Sequence, residues 1–130
     1  MLSSVDNCYT VNVEITSDGG VLISAIMIGT ESDMIVAKIS SAGSVEWSRK
    51  IGEAQDDGIG TVKETNDGNF ILVGKSKKLN VGGFYNVVVM KLDSLGQTIW
   101  ATHIDKNGED FTSSVLETAN GDFLVAGAII

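Results

Sequence analysis

Short apolar segments alternate with polar turns along the whole chain, and they predict strands rather than helices. Residues 11–16 (Val-Asn-Val-Glu-Ile-Thr) alternate strictly between apolar and polar, which is typical of a half-buried strand. An Asp-Gly turn follows, and residues 21–28 are then apolar on both faces. Val, Ile and Thr dominate such segments, and turns rich in Gly, Asn, Asp and Ser separate them. The pattern therefore predicts an all-β fold.

Read in this way, the chain contains ten predicted strands in three groups. The first two groups have four strands each and the third has two. The predicted strands are 11–16, 21–28, 34–39 and 45–51, then 59–65, 70–75, 86–92 and 98–104, and finally 112–118 and 123–129.

The three groups repeat one another in sequence. Trp47 and Trp100 are 53 residues apart, and other identical pairs share that spacing. These pairs are Lys38 and Lys91, Gly43 and Gly96, Asp57 and Asp110, Glu64 and Glu117, Gly68 and Gly121, and Phe70 and Phe123. Four strands in about 50 residues is the size of a β-propeller blade. A β-sandwich would explain the strands but not the repeat.

We therefore predict β-propeller blades of four antiparallel strands, with about two and a half blades in one repeat domain. Blade 1 covers about 11–51, blade 2 about 59–104, and a half blade about 112–130.

One segment resembles a known kind of repeat. Residues 91–100 (Lys-Leu-Asp-Ser-Leu-Gly-Gln-Thr-Ile-Trp) are similar to the third strand, turn and fourth strand of bacterial and archaeal β-propeller repeats with quinoprotein-type (PQQ-like) blades. The resemblance covers about residues 11–130 and implies blade architecture rather than a chemistry. It implies that Trp47 and Trp100 wedge against the next blade, and it is compatible with an extracytoplasmic location. The expected structural repeat residues are Trp47, Trp100, Gly43, Gly96, Gly68 and Gly121.

The number of strands bears on how the molecule is completed. Ten strands cannot close a ring, because propellers have four to eight four-stranded blades. Two copies supply twenty strands, or five blades, and we expect a homodimer that closes a five-bladed ring with each chain covering the other's open edges. The alternative is a fragment of a longer propeller protein, and both can hold at once.

The longer connections are where we expect a ligand. In an up-and-down blade they share the end opposite the tight turns, and function lies preferentially on such loops. The candidate residues on this end are Asp56, Asp57, Glu109, Asp110, Lys77, Lys78, Phe84 and Tyr85. Phe84 and Tyr85 suit a partner or a carbohydrate, but they adjoin a strand and can simply pack.

The acidic pairs of these loops have the oxygen chemistry of a Ca²⁺ site. Residues 105–109 imitate the start of an EF-hand loop, but Asp110 stands where that loop needs Gly and Leu116 where it needs Glu. We therefore expect solvated carboxylates and no metal. One Cys and one His cannot build a Cys/His zinc site either.

Charge and hydropathy exclude two classes of partner. The 130 residues carry 9 Lys and Arg against 17 Asp and Glu, a net charge of −8, which argues against nucleic acid. The longest apolar stretch, 21–28, is too short to span a membrane. The first residues have neither a basic nor an apolar region, so we expect no signal peptide in this sequence.

Catalysis has little support in the sequence. His103 ends a predicted strand, away from any Ser or Cys motif, and Cys8 lacks a nucleophile context. We expect a non-catalytic module that acts as a scaffold or binding surface, without a cofactor. The alternative is a piece of a propeller enzyme, quinoprotein-like or a hydrolase, with its catalytic residues elsewhere. A third possibility is a purely structural, self-associating module.

Overall fold

A computed structural model describes residues 7–28, 32–51, 57–77, 85–104 and 110–129, and in these ranges all the regular structure is β-strand. The predicted all-β class is confirmed, and so are the ten strands, with bounds that differ by a few residues. They are β1 (Asn7–Ile15), β2 (Val21–Ile28), β3 (Ser32–Ile39), β4 (Val45–Ile51), β5 (Asp57–Glu64), β6 (Phe70–Lys77), β7 (Tyr85–Leu92), β8 (Thr98–Ile104), β9 (Asp110–Glu117) and β10 (Phe123–Ile129).

The strands form three antiparallel units in sequence order. Strands β1 to β4 form one four-stranded sheet, which we call sheet 1, and β5 to β8 form sheet 2. Strands β9 and β10 pair with each other, and we call them hairpin 3. Within each unit every strand pairs with the next along the chain, so the four-stranded antiparallel units expected from the repeat are present.

Five tight turns share one local geometry that explains their glycines. In the β7–β8 turn, the amide of Gly96 donates to the carbonyl oxygen of Asp93 at 3.0 Å. The amide of Asp93 donates to the carbonyl oxygen of Gln97 at 2.8 Å. Gly96 has a φ of +83°, in the left-handed region that residues with a Cβ avoid. Gly43, in the β3–β4 turn of sheet 1, has the same conformation with a φ of +87°.

The sheets stack face to face and bury a separate apolar cluster at each of two junctions. At junction 1, between sheets 1 and 2, the core consists of Leu22, Met34, Val36, Ile51, Val62, Phe70, Leu72 and Leu92. At junction 2, between sheet 2 and hairpin 3, it consists of Ile71, Val73, Val87, Val89 and Val115. Each fully buried side chain of this size stabilises the fold by about 1.5–3 kcal/mol.

Sheet 2 uses both of its faces in this packing. Phe70 and Leu72 point to sheet 1, while the intervening Ile71 and Val73 point to hairpin 3. We call the face that a unit turns to its lower-numbered neighbour its leading face, and the opposite one its trailing face. Burial on both faces explains why these strands are apolar throughout rather than alternating.

Candidate functional site

The most distinctive arrangement of side chains lies at junction 1 and is built around Trp47 on β4. The Trp47 ring packs against Phe70 of sheet 2, with ring centroids 5.8 Å apart and planes tilted by 55°. Its Nε1 donates to the carbonyl oxygen of Ser94 at 2.9 Å. The ring also covers Gly96, where an added Cβ would lie 2.6 Å from Trp47 Cε3. One side chain of sheet 1 thus contacts both a central strand and a turn of sheet 2.

Arg49 reinforces this contact from the same strand. Its Nη1 donates to the carbonyl oxygen of Gly96 at 2.9 Å. Because strand residues two apart share a face, Trp47 and Arg49 lie side by side against the β7–β8 turn. Both side chains are half-buried.

A surface groove of about 380 Å³ opens beside these two side chains. Its walls present an aromatic face, a guanidinium, an amide and hydroxyls, groups that bind polar or planar ligands rather than react with them. The lining residues are Trp47, Ser48, Arg49, Leu95, Gly96, Gln97 and Thr98.

Junction 2 repeats the aromatic contact one period later. Trp100 of β8 packs against Phe123 of β10, with centroids 6.2 Å apart and planes tilted by 56°. Lys91 Nζ lies 5.9 Å from the centroid of the same Phe123 ring. Trp100 is 38% exposed, since hairpin 3 has no third and fourth strand among the described residues to cover it.

A glutamate of each later unit holds a turn of the preceding one. Glu64 of β5 accepts the Ser17 amide at 2.8 Å through Oε1 and the Ser17 hydroxyl at 3.0 Å through Oε2. Glu117 of β9 accepts the Asn66 amide at 2.7 Å. The repeat had identified Glu64 and Glu117 as an equivalent pair, but nothing in the sequence gave their acceptors.

Sequence reasoning also missed a buried ion-pair network in sheet 1. The Lys38 side chain is only 3% exposed, and its Nζ donates to Asp18 Oδ2 at 3.0 Å and to Glu46 Oε2 at 3.2 Å. The Ile39 carbonyl accepts a third bond at 3.3 Å. An ammonium held in this way anchors the β1–β2 turn to β3 and β4.

The protonation of this network follows from its contacts. Hydrogen bonds from the Thr16 hydroxyl, the Gly20 amide and Lys38 hold the pKa of Asp18 well below its usual range. Burial lowers the pKa of Lys38, but the hydrogen bonds to Asp18 and Glu46 outweigh it and raise that pKa overall. The charged forms of Asp18 and Lys38 are therefore the stable ones.

Sheet 2 carries the equivalent pair. Lys91 Nζ lies 2.8 Å from Asp67 Oδ2, and the Thr65 hydroxyl also donates to Asp67. These two contacts, with Lys91 the stronger, hold the pKa of Asp67 well below its usual range. The turn carboxylates Asp18 and Asp67 thus hold the first turn of sheets 1 and 2 against a lysine of the same sheet.

Half of the predicted ligand-face residues can be located in the structure. Asp57, Lys77 and Tyr85 lie at the ends of β5, β6 and β7, where Asp57 pairs with Ser76 and Lys77 with Tyr85. This is the end of sheet 2 opposite its tight turns.

Asp110, the fourth residue of this half, begins β9 in hairpin 3. The other four, Asp56, Lys78, Phe84 and Glu109, lie outside the described residues. A ligand at this end stays a prediction.

Within the described ranges, no three His, Cys, Asp or Glu side chains lie together in a way that would hold a metal ion. Nor does that part of the chain contain a helix with the length and apolarity needed to cross a membrane. His103 is half-buried on β8.

Comparison with known proteins assigns no family. No protein-family model matches the chain, and no curated protein matches it significantly. The likeness to quinoprotein-type blades therefore stays a prediction from the sequence.

Proposed function

We propose that the chain is a non-catalytic β-propeller repeat module that acts as a scaffold or binding surface and is completed by self-association. The observation that carries the proposal is the repetition of one junction. Trp47 meets Phe70 at junction 1, and Trp100 meets Phe123 at junction 2 with nearly the same distance and tilt.

Repeated junctions of this kind favour assembly over reaction chemistry. Units that each bury an apolar face against the next gain most of their stability from neighbours. The most buried and best-connected side chains, such as Leu72 and Lys38, serve packing and anchoring between strands and sheets.

The groove beside Trp47 and Arg49 is the first place to seek a ligand on such a scaffold. An aromatic face next to hydroxyl and amide groups suits a carbohydrate or another planar, polar molecule. The loop end that carries Asp57 and Tyr85 is the second.

The number of strands is compatible with completion by a second copy or by further repeats. The described residues of one chain provide ten strands, and those of two chains provide the twenty that five blades require. A homodimer that closes a ring would cover the apolar surfaces that one chain leaves open.

Small-angle X-ray scattering on an absolute scale tests this proposal. We expect a mass of about 27 kDa, twice the 13.7 kDa of one chain, and the distance distribution of a compact, closed particle. A mass of 13.7 kDa at every concentration would overturn completion by self-association.

A further inference from the structure

The part of the leading face of sheet 1 nearest the β1–β2 turn is an open apolar surface at one end of the stack, whereas Ala25 and Ile35 further along the same face are 1% and 9% exposed. Val13 pairs with Ile23 across β1 and β2, and Ile15 pairs with Val21, so the four side chains form one patch. Val13 is 57% exposed and Ile15 is 80% exposed. Such a patch on a soluble domain commonly marks an interaction surface.

Sheet 2 shows what this kind of face binds. Equivalent residues are 49 positions apart between sheets 1 and 2, as Thr16 and Thr65 are. The equivalents of Val13, Val21 and Ile23 are Val62, Phe70 and Leu72, which are 2%, 2% and 0% exposed. The trailing face of sheet 1 buries them at junction 1. The leading face of sheet 1 therefore carries apolar residues at the positions that sheet 2 buries in an interface.

The trailing face of hairpin 3 is the matching surface at the other end. Leu116 and Leu124 are cross-strand neighbours on β9 and β10, and they are 58% and 60% exposed. Leu124 is equivalent to Leu22 and Ile71, which are each 2% exposed at their junctions. At this position the two earlier units are buried by the next unit.

The glutamate-to-turn contacts of the two junctions have no counterpart at these two ends. Glu64 accepts from Ser17, and Glu117 accepts from Asn66. In sheet 1 the position of these glutamates is Ile15, and in hairpin 3 the turn position of Ser17 and Asn66 is Ala119. The glutamate accepts a backbone amide at both internal junctions, and at junction 1 it also accepts the Ser17 hydroxyl. The two unmatched positions both carry apolar side chains, so no carboxylate stands opposite the turn of Ala119.

A second position on the trailing faces changes in the same sense. Glu14 in sheet 1 and Lys63 in sheet 2 are the equivalents of Leu116 in hairpin 3. At this position the outermost trailing face is thus apolar, whereas the two internal ones are charged. An exposed end that had no partner would favour the opposite trend, because exposed apolar patches promote aggregation.

We infer that the trailing face of hairpin 3 in one copy packs on the leading face of sheet 1 in a second copy, head to tail. Leu116 and Leu124 of one copy then cover Val21 and Ile23 of the other, and Ala119 lies beside Ile15. The inference rests on the proposed self-association and names the surfaces that produce it. It places the two hairpins at separate positions, so the same twenty strands form a ring of four sheets and two hairpins in place of five complete blades.

The symmetry of the proposed contact distinguishes it from a contact between two leading faces. A head-to-tail contact joins different surfaces, and two such contacts related by a two-fold axis close a ring. A contact between two leading faces would bring Ile15 against its own copy and leave Leu124 exposed. The matched change at Ile15 and Ala119 favours the head-to-tail arrangement.

Sedimentation velocity on two variants, alone and mixed, tests the inference. Ile15→Lys damages only the leading face and Leu124→Glu only the trailing face, and both side chains are exposed enough for the fold to tolerate the change. We expect each variant alone to sediment as a single chain of 13.7 kDa. An equimolar mixture should recover a two-chain species through one intact contact, which also shows that both variants are folded. The milder Ile15→Ser and Leu124→Ser changes should weaken association in the same direction.

A matched control is Leu95→Lys, because Leu95 is 70% exposed but lies in the β7–β8 turn, outside both faces. It should associate as the unmodified chain does. Suppose that the unmodified chain associates. If Leu124→Glu alone then also forms a two-chain species, or if the mixture of the two variants forms none, the head-to-tail contact is wrong while self-association stands. If the unmodified chain never associates, the inference and the proposed self-association both fail.

Discussion

The indole Nε1 of Trp47 donates a 2.9 Å hydrogen bond to the carbonyl oxygen of Ser94, 47 residues further along the chain. The bond joins the last strand of one sheet to the turn between the last two strands of the next. Because the same Trp47 ring also packs on Phe70, it ties β4 of sheet 1 to both β6 and the β7–β8 turn of sheet 2.

Replacing this tryptophan should weaken junction 1 in two steps of increasing size. Trp47→Phe removes the hydrogen bond and part of the ring contact, and it should lower the free energy of unfolding by about 1–2 kcal/mol. Trp47→Ala also removes the ring contact and should cost about 3 kcal/mol. Urea unfolding followed by circular dichroism measures both. Trp100→Ala is the matched control and should cost less, because Trp100 is 38% exposed. Equal costs for the two alanine variants would argue against a special role for Trp47.

Two equivalent glycines should respond differently to alanine. Gly43 and Gly96 both have positive φ, so Gly43→Ala should cost about 1 kcal/mol from backbone strain alone. At Gly43 an added Cβ has no atom within 4 Å, but at Gly96 it would meet the Trp47 ring at 2.6 Å. Gly96→Ala should therefore cost at least about 1 kcal/mol more. Thermal and urea unfolding of the two variants decide this, and an equal loss would mean that the ring moves away without cost.

A buried hydroxyl at junction 1 offers a stabilising change. Ser24 is 1% exposed, and its Oγ has no hydrogen-bond partner among the described residues. Ser24→Ala should raise the free energy of unfolding by about 1 kcal/mol, because it removes an unpaired polar group from the core. The equivalent residue in sheet 2 is Val73, which is fully buried, so Val73→Thr should lower stability. A destabilised Ser24→Ala would indicate that the hydroxyl is hydrogen-bonded in solution.

The ion pair of sheet 1 should respond unequally to loss of its two partners. Lys38→Met leaves Asp18 and Glu46, whose side chains are 56% and 42% exposed and can be hydrated. Asp18→Asn instead leaves an ammonium that is 3% exposed with one carboxylate fewer. We therefore expect the melting temperature to fall further for Asp18→Asn than for Lys38→Met. The reverse order in differential scanning calorimetry would contradict a buried Lys38.

The turn carboxylates also predict how stability depends on pH. Asp18 and Asp67 have lower pKa values in the folded chain than in the unfolded chain, where an Asp titrates near about 3.9. Below about pH 4 the unfolded chain therefore binds more protons, and stability falls as the pH falls. The contribution is complete above that range. Urea midpoints between pH 2 and pH 7 should show a smaller acid loss for Asp18→Asn with Asp67→Asn than for the unmodified chain. An equal loss of stability at low pH in the double variant would mean that groups other than Asp18 and Asp67 cause the loss.

The strands and their repeat were accessible from sequence because they depend on local patterns. Alternation marks β1, and positive-φ glycines such as Gly43 and Gly96 mark the tight turns. The spacing of Trp47 and Trp100 then shows that the units are copies. None of these signals needs knowledge of which sheet lies beside which.

The contacts between sheets were harder to predict, because they join residues far apart in sequence. Lys38 is charged and reads as exposed, yet Asp18, 20 residues earlier, folds back to bury it. From the sequence, Glu64 is expected to be a surface residue at the end of a strand. In the structure its carboxylate accepts a hydrogen bond from the Ser17 amide, which lies in a turn of the neighbouring sheet. The ligand-face residues on the long loops could be assigned only to one end of the units.

The apolar leading face of sheet 1 and trailing face of hairpin 3 should bury each other between copies. Light scattering on a sizing column, with the unmodified chain and Ile15→Lys at the same concentrations, tests this contact. We expect about 27 kDa for the unmodified chain and the single-chain mass of 13.7 kDa for the variant. A single-chain mass for both, or a two-chain mass for Ile15→Lys, would show that the two faces do not meet.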